Sequence, residues 1–125
     1  MKTIIAGSRD FVDYEILKAA ILSCPWEITT VVSGKAKGAD TLGEQYANDN
    51  GIPIDEYPAD WKKNGKAAGP IRNKQMSDNA EALIAFWDGK SKGTKNMIDT
   101  AKKAGHRVMI YNFVNGNMVF RWKPI

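Results

Sequence analysis

Ala82-Leu83-Ile84-Ala85-Phe86-Trp87-Asp88-Gly89-Lys90-Ser91-Lys92-Gly93-Thr94 is the stretch that decides the fold. Ala82–Trp87 is the most apolar run in the chain and reads as a central strand covered on both faces. Gly89 to Gly93 then forms a glycine loop, and Thr94 stands where it can cap a helix that carries Met97, Ile98 and Ala101 inward and stops at Gly105. Strand, glycine loop and helix form the unit from which parallel sheets are built. The same unit recurs upstream. Thr3-Ile4-Ile5-Ala6 is a β-branched run closed by Gly7, and the helix after it starts at the N-cap Asp13, shows Ile16, Leu17, Ala20, Ile21 and Cys24 on one face, and stops at Pro25. Thr29–Val32 is a second strand broken by Ser33-Gly34, followed by a helix from Ala39 to Asn50 and a third strand from Ile52 to Tyr57. A long loop, Pro58 to Gly69, leads to Pro70 in a first helical turn. Arg107 to Asn112 is a fifth strand, and Asn115-Gly116 signals a hairpin that returns Met118 to Trp122 antiparallel at an edge. The expectation is a single α/β domain over residues 1–125: a Rossmann-like three-layer sandwich with a mainly parallel sheet and a C-terminal antiparallel hairpin strand.

The composition agrees. With 125 residues, 43% hydrophobic and 26% charged, the chain is sized and balanced for one ordinary core. A single cysteine, Cys24, forms no intramolecular disulfide and fits a reducing, cytoplasmic compartment. Cys24 and the lone His106 are too few for a usual zinc site, so no metal and no resident cofactor are expected. No stretch approaches the roughly 18 apolar residues of a membrane span, and Thr3–Ala6 is too short for a signal-peptide core.

The net charge of +4 is modest, but it is concentrated. More than half of the 18 Lys and Arg residues fall in loops or first helical turns just after strands, among them Arg9, Lys35, Lys37, Lys66, Arg72, Lys90 and Lys92. Those same loops hold most of the glycines. Ligands of open parallel sheets bind at this carboxyl edge, where glycine lets backbone approach an anion and helix N-termini offer free N–H groups. A phosphorylated ligand is the reading that follows. The common phosphate and hydrolase signatures are missing: no Walker loop, no G-x-G-x-x-G, no G-x-S-x-G.

Four stretches in order carry a resemblance: Ile5-Ala6-Gly7-Ser8-Arg9; Val32-Ser33-Gly34-Lys35-Ala36-Lys37-Gly38-Ala39-Asp40; Pro58-Ala59-Asp60-Trp61 leading to Gly69-Pro70-Ile71-Arg72-Asn73-Lys74-Gln75-Met76; and Phe86-Trp87-Asp88-Gly89-Lys90-Ser91-Lys92-Gly93-Thr94. Together they resemble the SLOG superfamily, named for Smf/DprA and LOG proteins, in its small YspA-like branch. The resemblance runs from Thr3 to about Tyr111. It implies a Rossmann-like fold that holds nucleotides or their derivatives at the glycine-rich edge. Some members cleave the N-glycosidic bond of nucleoside monophosphates, others sense nucleotides in signalling and phage-conflict systems, and another branch binds single-stranded DNA.

Carried onto this sequence, the candidate ligand-binding residues fall in four groups. Gly7, Ser8 and Arg9 close the first strand, and Gly34, Gly38, Ala39 and Asp40 form a second lip, where Asp40 either meets a ribose hydroxyl or caps its own helix. Arg72 and Asn73 sit in the turn after Pro70; the bidentate Arg72 is the strongest single candidate, expected as an exposed cleft arginine reaching the Gly89–Thr94 loop from the neighbouring crossover. Asp88, Gly89, Ser91, Gly93 and Thr94 form the phosphate cradle at a helix N-terminus. Trp61 either stacks on a base or closes the core, and Trp87 is assigned to packing before stacking.

No catalytic residue is assigned. The phosphoribohydrolase relatives carry G-G-x-G-T-x-x-E, and the glutamate position after Gly93-Thr94 is Met97, which cannot move a proton. The favoured function is a sensor or sequestering protein for a nucleotide-type small molecule, including a phage-conflict signal. The alternative is an N-glycosidase with a carboxylate relocated to Asp40, Asp60 or Asp88, and a second is single-stranded nucleic-acid binding, less suited by the interspersed acids. A homo-oligomer is expected from the family's habit and the apolar tail Val114, Met118, Val119, Phe120 and Trp122, with no membrane partner.

Overall fold

Successive strand side chains point to opposite faces, so a strand covered on both sides needs apolar residues at nearly every position. β1 (Lys2–Gly7) and β4 (Ala82–Trp87) meet that requirement and are buried along almost their whole length. The computed structural model describes residues 1–114, 117–118 and 123–124. The other elements are α1 (Tyr14–Leu22), β2 (Thr30–Ser33), α2 (Ala39–Asp49), β3 (Ile54–Glu56), α3 (Trp61–Asn64), α4 (Ala68–Asp78), α5 (Lys92–Lys103), β5 (Arg107–Val114), β6 (Asn117–Met118) and β7 (Lys123–Pro124), with a 3₁₀ turn over Gly65–Ala67 between α3 and α4.

The sheet runs β3-β2-β1-β4-β5, all parallel, and β6 and β7 both pair antiparallel with β5. The chain winds outward from β1 to β3 and then returns to the other side of β1 as β4. The crevice between the carboxyl ends of β1 and β4 is therefore the switch point where open α/β sheets take ligands. Register sets the crevice: Thr3 lies opposite Ala82 and Gly7 opposite Phe86.

Each face of the sheet has its own core. Ile5, Val31, Ile84, Phe86 and Met109 pack with Leu17 and Ile21 of α1 and Ala47 of α2. Ile4, Val32, Leu83, Ala85 and Val108 pack with Met76 of α4 and Met97, Ile98 and Ala101 of α5. On the first face Phe11 stacks on Phe86 with ring centroids 4.7 Å apart, and Phe86 stacks on Tyr111 at 5.5 Å. This stack anchors the segment after β1 to the middle of the sheet.

The structure departs from the sequence reading at several places. The expected loop Pro58–Gly69 contains α3 and the 3₁₀ turn; Asp60 caps α3 by accepting from the Lys63 amide at 3.1 Å, and a four-residue helix is too short to show a period. Ser91, not Thr94, is the N-cap of α5, accepting from the Thr94 amide at 3.3 Å. Cys24 lies beyond the end of α1, half-buried against the first core, rather than on its inward face. The Asn115-Gly116 turn and Val119–Trp122 lie outside the described residues, and with them most of the apolar tail from which an oligomer is expected; Met118 does pair antiparallel, with Phe113.

Gly7 is the tightest point of the sheet. A Cβ there would overlap the Phe86 carbonyl oxygen and come within 2.9 Å of the Ala39 Cβ. Gly7→Ala is expected to push β1 from β4 and α2 and to cost about 1–3 kcal/mol, read as a lower urea midpoint with an unchanged m-value.

Candidate functional site

The end of β1 is locked before it reaches solvent. The Ser8 amide donates to the Phe86 carbonyl at 2.8 Å, the Ser8 Oγ accepts from the Asp88 amide at 3.2 Å, and the Ser8 carbonyl accepts from the Phe11 amide at 3.2 Å. With Ser8 and Phe11 both buried, the residues between them, Arg9 and Asp10, are held outward at the mouth of the crevice.

The β4–α5 loop is organised by Asp88. Its Oδ1 accepts from the Lys90 amide at 2.8 Å and the Ser91 amide at 2.7 Å. Burial would raise the Asp88 carboxyl, but these amides and the Ser8 hydroxyl outweigh it and hold the group below its ordinary value. The Ser91 Oγ then takes the Thr94 amide, and the Ser91 carbonyl takes the Trp87 indole N–H at 3.1 Å. The Lys92 and Gly93 amides, in the first turn of α5, have no acceptor among the described residues. They are the donors this helix terminus has left for a ligand. A Cβ on Gly93 would meet open space.

The β2–α2 loop is held from behind. The Arg72 Nη1 donates to the Gly34 carbonyl, and its Nε donates to the Asn73 Oδ1 at 3.1 Å. The Asn73 Nδ2 in turn reaches the Asn96 Oδ1 at 2.9 Å and the Gly93 carbonyl at 3.3 Å. One continuous polar chain thus joins Gly34, α4 and the first turn of α5. Asp40 is only 4% exposed and accepts from the Ala36 amide at 3.3 Å. Burial pushes its carboxyl up to about 6, against the pull of the Arg72 guanidinium and the loop amides. Burial also lowers Arg72; Asp40 partly offsets this, and the like charge of Arg9 adds to it.

Two cavities open at this edge. The larger, about 630 Å³, lies between Ser8, Arg9 and Asp10 on one side and Asp88, Ser91, Lys92, Gly93 and Asn96 on the other, with Trp61, Lys66, Gly69 and Pro70 as its outer wall. The smaller, about 420 Å³, is lined by Arg9, Gly34, Lys35, Ala36, Lys37, Pro58, Ala59, Trp61 and Arg72. Arg9 and Trp61 line both. Trp61 is 52% exposed and its indole N–H has no partner among the described residues, so its ring is available for stacking. Trp87 is half-buried against the second core with its N–H committed, as packing requires.

Of the sequence candidates, Ser8, Arg9, Trp61, Asp88, Ser91 and Gly93 share the larger cavity, and Gly34 and Arg72 line the smaller with Arg9 and Trp61. The others shape the walls from behind. Gly7 and Ala39 pack against each other under the loop, and Gly38, with φ +78°, stands so close to the Ser8 and Arg9 carbonyls that a side chain there would collide with them. Asp40 and Asn73 are buried supports, Gly89 is a turn with φ +80°, and Thr94 is buried with its hydroxyl 3.0 Å from the Ser91 Oγ. Arg72 is the main correction. It is half-buried and lines the smaller cavity instead of the Gly89–Thr94 loop, because its Nη1 is taken by the Gly34 carbonyl and its Nε by the Asn73 Oδ1. Sequence reasoning did not single out Asp10 and Asn96. Asn96 had a signal: three residues after Gly93, it falls on the same helical face.

A carboxyl raised in the folded state stabilises at low pH: Asp40's contribution is complete below its unfolded pKa near 3.9 and is lost as pH rises through about 6. The stability of the parent relative to Asp40→Asn is therefore expected to fall by up to about 3 kcal/mol between pH 4 and pH 7, measured by urea unfolding of both proteins at each pH.

Comparison with known proteins identifies the family and the fold. The model of the YspA, cpYpsA-related SLOG family matches residues 1–64, which include β1, β2 and the loops that follow them. Gene 61 protein of Mycobacterium phage D29 is 32% identical over 122 residues, covering 90% of this chain and 95% of that protein. The SPbeta prophage-derived protein YoqJ of Bacillus subtilis is 37% identical over 60 residues, covering 44% of this chain and 35% of that one. Among solved structures, DNA processing protein A (DprA) from Streptococcus pneumoniae superposes with a TM-score of 0.71 at 20% identity; the match covers 87% of this chain but only 49% of DprA, and at that identity it speaks for the Rossmann-like fold alone. With a family model over half its length and a full-length relative, the chain belongs to the YspA, cpYpsA-related SLOG family.

Proposed function

We propose that the protein binds a nucleotide or nucleotide-derived phosphorylated small molecule in the larger cavity and acts by holding it, as a sensor or a sequestering protein. The observation that carries this reading is the pairing of two free first-turn amides, Lys92 and Gly93, with an exposed Trp61 ring across one cavity at the β1–β4 switch point. The amides, with Arg9, Lys66 and the Lys92 side chain around them, suit a phosphate; the indole suits a base. The cavity's volume is within the range of small-molecule sites. A role in phage–host conflict, with a signalling nucleotide as the held molecule, is part of this proposal; the relatives named above come from a phage and a prophage.

Arg9 is the residue to test, since it is exposed and makes no ion pair among the described residues. In calorimetry with the four nucleoside 5′-monophosphates, at least one is expected to bind. Arg9→Ala is expected to weaken it by about tenfold while unfolding stability stays within about 0.5 kcal/mol. Trp61→Ala is expected to weaken the same ligand by about fivefold or more. Unchanged affinity in both variants rejects the site, and release of free base by the parent rejects the holding role in favour of N-glycosidic cleavage.

A further inference from the structure

The smaller cavity has a different electrostatic character from the larger. Asp10 and Asp88 line the larger one, whereas no carboxylate lines the smaller. Of its cations, Lys35 is neutralised: its Nζ lies 2.8 Å from Glu44 and 2.9 Å from Glu56. Arg9, Lys37 and Arg72 are not. None of them makes an ion pair within 4.0 Å among the described residues, and Arg9 and Lys37 are exposed. The Arg72 Nη1 and Nε are occupied by Gly34 and Asn73, which leaves its remaining guanidinium donors for the cavity. Arg72 is half-buried with the like charge of Arg9 close enough to disfavour its own. Asp40 offsets part of the cost of the Arg72 charge, and an anion seated between Arg72 and Arg9 relieves the repulsion that remains between those two.

We infer that the smaller cavity is a second anion subsite, formed by Arg9, Lys37 and Arg72, and that the molecule held by this protein is a dinucleotide: one nucleotide in the larger cavity, the second phosphate in the smaller, with Trp61 and Arg9 at the junction. This rests on the reading of the larger cavity as a nucleotide site. The two cavities share Arg9 and Trp61, so a single molecule can occupy both. A long single strand would need a continuous basic track, and Asp10 and Asp88 interrupt it on the larger-cavity side.

The test is calorimetry of the parent and Lys37→Ala with three probe sets for each of the four bases: the nucleoside 5′-monophosphate, the 5′-phosphorylated dinucleotide, and the eight-nucleotide homopolymer. Lys37 lies outside the larger cavity and makes no ion pair among the described residues, so its removal leaves the fold in place. For the base that binds best, the dinucleotide is expected to bind at least about tenfold tighter than the monophosphate. Lys37→Ala is expected to erase most of that gain while leaving the monophosphate's affinity as it was. Equal affinity of monophosphate and dinucleotide, or a gain that survives Lys37→Ala, overturns the second subsite and leaves the first standing. An octamer that binds more than tenfold tighter than the dinucleotide, with affinity falling steeply with salt, overturns it in favour of strand binding. Failure of every probe to bind overturns both subsites.

Discussion

The carboxyl edge of this sheet depends on how closely β1 approaches β4 at Gly7. No side chain fits between Gly7 and the Phe86 carbonyl, and Ala39 of α2 closes the remaining space. That approach lets the Ser8 amide reach Phe86 and the Asp88 amide reach Ser8, so that the first loop after β1 and the loop after β4 are joined by hydrogen bonds at their roots. Gly38 extends the same constraint to the third loop, since its backbone lies against the Ser8 and Arg9 carbonyls. A cavity whose walls are fixed to one another at the base loses little conformational entropy when it takes a ligand.

The layers were legible because their cause is local. β1 and β4 are buried on both faces, which demands continuous apolar runs, and such runs stand out at Thr3–Ala6 and Ala82–Trp87. Asp13 starts α1 and Gly51 follows the end of α2, where their chemistry says they should stand. What escaped was whatever depends on distant partners. α3 is a single turn, stabilised by Asp60 and its surroundings and not by any period of its own. Ser91 and Thr94 are both able to cap, and the choice between them follows from Asp88, which turns the chain three residues early by taking the Lys90 and Ser91 amides. The candidate site was legible as a set of loops but not as a set of directions. Arg72 has the chemistry of a phosphate ligand, yet its first commitment is to the Gly34 carbonyl, a partner 38 residues away that no local pattern announces.

The buried Asp40 and half-buried Arg72 show how charge is placed here. Each is disfavoured by burial and each lessens the other's cost, but they do not form a close ion pair; Gly34 and the loop amides stand between them. An arrangement of this kind gives little net stability. Its effect is positional: Asp40 fixes the Ala36 amide to α2, Arg72 fixes the Gly34 carbonyl to α4, and the β2–α2 loop is held at both points. Lys35, with φ near +60°, accepts a conformation that few side chains favour, and its two glutamate partners hold it there.

The phase of α5 bears on what chemistry the larger cavity can do. Residues 92, 93 and 96 line the cavity, while Thr94, Met97, Ile98 and Ala101 turn inward. Met97 is 1% exposed and packs with Met76 and Leu83, so the position that carries glutamate in the phosphoribohydrolase relatives is a core position in this helix. A carboxylate restored there would enter the apolar core, where it would be held neutral and away from any ligand. The carboxylates that do face the cavity are Asp10 and Asp88. Asp88 is already the acceptor that shapes its own loop, and its lowered pKa makes it a poor proton donor near neutral pH. Asp10 is exposed at the rim. The proposed holding of a phosphorylated ring system rests on the free first-turn amides and the exposed indole that face each other across this cavity, not on either carboxylate.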